Sequence, residues 1–129
     1  MRVLSLTTDF TTWATRTSGT TQPLLSVAEN ASTIVAVGLD GAVVKSSDGA
    51  TWTAHSVGLT GTAGGLTGVA AKTGGGFVAV GALGLVADSS DGPPWTARAS
   101  LTSGDLYGVA VGSTTTVAVG GSGLIFSQD

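Results

Sequence analysis

The tetrapeptide Val-Ala-Val-Gly occurs three times in this 129-residue chain, at Val35–Gly38, Val78–Gly81 and Val117–Gly120. Successive copies begin 43 and 39 residues apart. An aspartate and a tryptophan keep step with it: Asp9, Asp48 and Asp91 precede Trp13, Trp52 and Trp95 by four residues each. Self-similarity at this period constrains the chain more than any single motif. Each copy must adopt the same local structure and bury its apolar side against a neighbour.

Within each copy the pattern reads as four short strands. The first is Trp13–Arg16, Trp52–His55 or Trp95–Arg98. A linker rich in Thr, Ser and Gly leads to the second, at Leu24–Glu29, Leu66–Ala71 or Leu106–Val111, each with Val-Ala at the same place. The third is the Val-Ala-Val run, extended by Ile34 in the first copy and Phe77 in the second. It enters a Gly-x-x-Gly segment (Gly38–Gly41, Gly81–Gly84, Gly120–Gly123), whose two glycines are expected to supply the positive φ of a tight hairpin. The fourth strand spans Ala42–Ser46, Leu85–Ser89 or Leu124–Gln128. No window sustains apolar residues at helical spacing, so essentially no helix is expected. Four consecutive strands per repeat predict an all-β chain: a β-propeller of three four-stranded blades forming one domain over residues 1–129. The repeats run over 9–47, 48–90 and 91–129, preceded by a surplus strand at 2–7.

Composition narrows the function. Apolar residues make up 42% of the chain, enough for a core, and charged residues only 10%, which is not a disordered composition. The net charge is −3, and the five cations (Arg2, Arg16, Lys45, Lys72, Arg98) are scattered. Nucleic-acid binding needs clustered cations to displace phosphate counterions, so that class is set aside. With no cysteine there is neither a disulfide nor a thiolate metal site. His55 has no second His or Cys at ligand spacing, so no metal and no cofactor is expected. The apolar run at the start is too short for a signal peptide, and no 18-residue apolar stretch exists to insert into a membrane. Asn30-Ala31-Ser32 fits a glycosylation sequon but reads more simply as a turn.

The segment Ser46-Ser47-Asp48-Gly49-Ala50-Thr51-Trp52 resembles the Asp-box, also called the bacterial neuraminidase repeat, in a form one residue short. Ser89-Ser90-Asp91-Gly92-Pro93-Pro94-Trp95 keeps Ser, Asp, Gly and Trp, whereas Thr7-Thr8-Asp9-Phe10-Thr11-Thr12-Trp13 lacks the glycine. The surrounding strand pattern is similar to blades of bacterial surface and phage-associated propellers, and the likeness covers nearly the whole chain. It implies that Asp9, Asp48 and Asp91 are structural turn locks on the outside of a ring. Such a carboxylate accepts backbone N–H groups two or three residues on, helped by a Ser or Thr hydroxyl. Trp13, Trp52 and Trp95 are then interblade aromatics, each burying a large face. One carboxylate per box is too few for calcium.

The resemblance also raises a sialidase reading, in which an arginine triad holds a substrate carboxylate beside a Tyr–Glu pair and an Asp. Arg16 and Arg98 each follow a box Trp by three residues, and His55 holds that position in the second copy. Repeat-equivalent residues are splayed around a rim and do not converge. Glu29 and Tyr107 lie on the second strand, nearest the central channel. They either line its mouth and bond a sugar or partner loop, or are an exposed strand end and a packed aromatic; the latter is the simpler reading. Glycoside hydrolysis needs a spaced carboxylate pair, which Glu29 alone does not supply. No catalytic residue is assigned. Glu29, Tyr107, Arg16, His55 and Arg98 remain candidates for ligand binding.

Three blades do not close a ring, since propellers close with about four to eight. Residues 2–7 align with a fourth strand, as does Leu124–Gln128, and no box-Trp strand follows the latter. The chain thus has one fourth strand too many and lacks its last outer strand. Pairing Trp13–Arg16 of one subunit with the third blade of another would repair both ends and close six blades in a two-fold homodimer. The expected function is a non-enzymatic, self-assembling structural or adhesion module. By the resemblance its setting is a phage virion (tail, fibre or head-decoration), with other virion or surface proteins as further partners. The alternative is a lectin-like glycan binder, and a glycosidase comes third.

Overall fold

The computed structural model describes residues 10–55, 65–90, 94–98, 100 and 102–128. Among these residues, eleven strands build three antiparallel sheets. The first sheet holds β1 (Leu24–Glu29), β2 (Ile34–Gly38), β3 (Val43–Ser46) and β4 (Thr53–His55) in that spatial order. The second holds β5 (Leu66–Ala71), β6 (Phe77–Gly81), β7 (Val86–Ser89) and β8 (Thr96–Arg98). The third holds β9 (Leu106–Val111), β10 (Thr116–Gly120) and β11 (Ile125–Gln128), and has three strands. The fold is all-β, and the predicted second and third strands coincide with β1, β2, β5, β6, β9 and most of β10.

Each sheet is out of step with the sequence repeat. Its outermost strand, β4 or β8, follows the next Asp–Trp pair and so belongs to the next repeat. Pairing is in equivalent register: Val35 lies opposite Ala28 and Lys45, Val78 opposite Ala70 and Asp88, and Val117 opposite Ala110 and Ser127.

Three expectations are corrected, those for Trp13–Arg16, for the fourth strands and for the glycine turn. Trp13–Arg16 is not a strand, because among the described residues nothing offers it a ladder. The surplus strand at 2–7 lies outside the described residues. The predicted fourth strands start one residue late, because Ala42, Leu85 and Leu124 spend their N–H groups closing a turn onto Leu39, Ala82 and Gly121. That turn is a 3₁₀ turn rather than a two-glycine hairpin, and its glycines have different tasks. Positive φ falls on Asp40, Leu83 and Ser122 and on the second glycine of each pair. The first glycine is extended, and a Cβ on Gly38 or Gly81 would overlap the carbonyl of Pro23 or Gly65. The same place carries a repeated tie, in which Leu39, Ala82 and Gly121 donate N–H to the carbonyls of Pro23, Gly65 and Asp105.

The three sheets stack face to face, with β1, β5 and β9 side by side as the innermost strands. Val35, Val37 and Val43 of the first sheet meet Val69, Phe77, Ala79 and Ala87 of the second, joined by Leu66, Leu85 and Trp95. A smaller cluster of Val80, Leu106 and Ala118, with Val86, Val109 and Phe126 partly buried, joins the second sheet to the third. The β5 backbone comes so near β9 that a Cβ on Gly68 would sit 3.1 Å from the Gly108 Cα. Thr67 Oγ1 crosses the same seam to the carbonyl of Leu106, and Ser26 Oγ accepts the Val69 N–H at 3.2 Å.

Candidate functional site

The Asp48 box is locked by its own side chains. Asp48 Oδ1 accepts the N–H groups of Ala50 (2.8 Å) and Thr51 (2.9 Å) and the Ser46 hydroxyl (3.1 Å). Ser46 Oγ in turn accepts the Gly49 N–H at 2.8 Å, and Trp52 Nε1 donates to the Gly49 carbonyl at 3.1 Å. Bonds to the ionised form favour it, so the Asp48 carboxyl is lowered from 3.8 to about 2, chiefly by the Thr51 and Ala50 N–H groups. Asp9 and Asp91 lie outside the described residues. The described part of the glycine-free first box, Phe10–Trp13, shares two features with the Asp48 box. Phe10 takes φ 57 where Gly49 takes 79, and Trp13 Nε1 donates to the Phe10 carbonyl at 3.0 Å.

The three tryptophans differ sharply in surroundings. Trp95 is 5% exposed, wedged between the first and second sheets, Trp52 is half-buried, and Trp13 is 81% exposed. Only Trp95 therefore fills an interior interface between sheets among the described residues.

The corresponding space between the second and third sheets is an open cleft of about 700 Å³. Its walls are apolar: Val78, Val80 and Val86 from the second sheet, and Val109, Ala118 and Phe126 from the third. Thr116 stands where Phe77 fills the first interface. Lys72, Asp88 and Arg98 hold one rim: Asp88 receives Lys72 Nζ at 3.3 Å and Arg98 in a fork at 3.0 and 3.2 Å. Ser127 and Gln128 of β11 hold the other rim, and among the described residues no strand pairs with the outer edge of β11.

The two ends of the stack are bare where equivalent interior positions are buried. Leu24 is 38% exposed, whereas Leu66 and Leu106 are at 0%. Val119 is 42% exposed, whereas Val37 is at 0% and Val80 at 1%. Val27 and Ile125 are open in the same way, although Ile34, Ala36 and Val44, further out on the first sheet, are buried. A Cβ on Gly84 would overlap the Thr102 carbonyl of the next linker, while one on Gly123 would meet nothing within 4 Å.

The other candidates do not come together. Glu29 ends β1 and Tyr107 is the second residue of β9, so they sit toward opposite ends of equivalent strands with the second sheet between them. Both are exposed. Arg98 is committed to Asp88, His55 is opposite Val43 on the outer edge of the first sheet, and Arg16 precedes that sheet. The Asn30 side chain accepts the N–H groups of Ser32 and Thr33 at 3.0 and 2.8 Å, which makes the sequon a turn. Sequence reading missed Lys72 and Asp88. The signal for Asp88 was a charge at the repeat position held by Lys45 and Ser127, opposite a strand carrying Arg98; Lys72 lies just after β5 and had no such mark.

No protein-family model matches the chain, and no curated protein is significantly similar to it. Among solved structures, the propeller YCF48 bound to D1 peptide has a similar fold, with a TM-score of 0.71 at 19% identity. The match covers 86% of this chain and 39% of that one, so the chain spans about two fifths of that propeller's length. The three sheets are accordingly blades of a propeller-type fold.

Proposed function

We propose that this protein is a non-enzymatic propeller module that acts by associating with protein, and first of all with itself. One observation carries the reading. Positions buried at both inner interfaces, Leu66 and Leu106 or Val37 and Val80, are bare at the two ends as Leu24 and Val119. Because every blade repeats one pattern, the free face of the third blade has the chemistry of a face that the second and third blades already cover. Head-to-tail stacking of two chains around a common two-fold would give six blades. The structural or adhesion role, on a virion or cell surface, follows the resemblance of the repeat. Light scattering on the purified protein at micromolar concentration is expected to give twice the 12.5 kDa chain mass. A single-chain mass at that concentration overturns the reading.

A second reading has its own observation. The unpaired edge of β11 beside an apolar cleft suits an extended peptide from another protein, added as a strand. The similar propeller bound to a peptide agrees with it. A glycan-binding or glycosidase role gains no such observation, since Arg16, His55, Arg98 and Glu29 are dispersed.

A further inference from the structure

We infer that the cleft between the second and third blades is the socket for Trp13 of a second copy, whose following residues add to the open edge of β11 as an outer strand. The inference rests on the self-association proposed above and specifies its joint.

The argument runs by equivalence. Trp95 comes after β7 in the chain, lies just before β8, and fills the interface between first and second blades at 5% exposure. The same step taken one blade further leads from the end of β11 into the cleft between second and third blades. There the wall residues Val78, Val80 and Val86 hold the places of Val35, Val37 and Val43, which enclose Trp95. No described tryptophan enters it.

Trp13 is the residue with the right attachments. It is 81% exposed, and its indole is already held in the box turn by the Phe10 carbonyl. Leu24 follows it by eleven residues, the same span that separates Trp95 from Leu106. A second copy that packs β1 against the bare face of the third blade therefore carries Trp13 back to β11 on a linker of proven length. Its box turn is formed beforehand, so little order is lost on docking. Equivalence with Val86 opposite Arg98 and Asp88 opposite Thr96 fixes the register: Ile125 opposite Arg16, and Ser127 opposite Ala14.

Two variants test this. The chain has no cysteine, so Ala14→Cys with Ser127→Cys introduces the sole pair of thiols. Directly opposed strand residues lie about 4.5–5.5 Å apart between Cα atoms, within disulfide reach. Mild oxidation is expected to give a reducible two-chain species on a denaturing gel. Trp13→Ala should weaken the assembly by roughly a hundredfold or more, as truncating a central aromatic anchor does. Far-UV circular dichroism of the single chain should stay unchanged, because Trp13 is 81% exposed there and belongs to no strand. An assembly of the expected mass that forms no such disulfide, or that closes it within one chain, or that is indifferent to Trp13→Ala, overturns the socket and leaves association standing. A single-chain mass for the unmodified protein overturns both.

Discussion

At the scale of single residues, one aspartate organises a turn without doing chemistry. Asp48 meets two backbone N–H groups and a serine hydroxyl, and these hold its carboxyl at about 2. The folded chain therefore binds this proton less readily than the unfolded one, whose carboxyl titrates near the usual 3.8. The stabilisation is complete above that value and is lost as the pH falls toward 2. Asp48→Asn keeps an oxygen for the same N–H groups but no charge. In denaturant titrations the wild-type chain is expected to be the more stable at neutral pH, with the difference closing between about pH 4 and 2. A difference that stays constant through that range would show that the carboxylate is not linked to folding. The tryptophans teach the complementary lesson. Trp13, Trp52 and Trp95 share one motif, yet only Trp95 is buried, because burial depends on which blades stand on either side.

At the scale of the element, the recurring Gly-x-x-Gly turn looks like a positive-φ device and is only half of one. Gly81 is extended and pressed against the Gly65 carbonyl, while the left-handed conformation is taken by Leu83 and Gly84. Gly81→Ala must therefore push two backbone segments apart. It is expected to cost about 1–3 kcal/mol in equilibrium unfolding, the range of overpacking a tight site. Unchanged stability would mean that the Ala82-to-Gly65 tie is loose. The innermost strands were legible in full: β1, β5 and β9 begin and end where the pattern placed them. Trp13–Arg16 was not, because a strand exists only where a partner supplies its hydrogen bonds.

At the scale of the molecule, three blades leave two ends. If the bare face of the third blade joins a second copy, a charge placed there should be tolerated by the fold and refused by the interface. Val119→Asp is exposed in the single chain, so its melting temperature measured at low concentration should shift little. The assembly should dissociate, since a buried, unpaired carboxylate is strongly disfavoured. Retention of the assembled mass in light scattering would place the joint elsewhere.

Sequence alone determined what is local and periodic here: the succession of strands, the equivalence of the Val-Ala-Val runs, and the Asp48 turn. These follow from alternation and from contacts within a few residues, which a linear pattern encodes directly. Tertiary structure alone decided what depends on juxtaposition. It separated Glu29 from Tyr107, committed Arg98 to Asp88, and gave three like tryptophans three environments. It also opened a cleft between the second and third blades. A repeat states the shape of each blade, but only the stack says which faces and edges meet another blade and which are left bare.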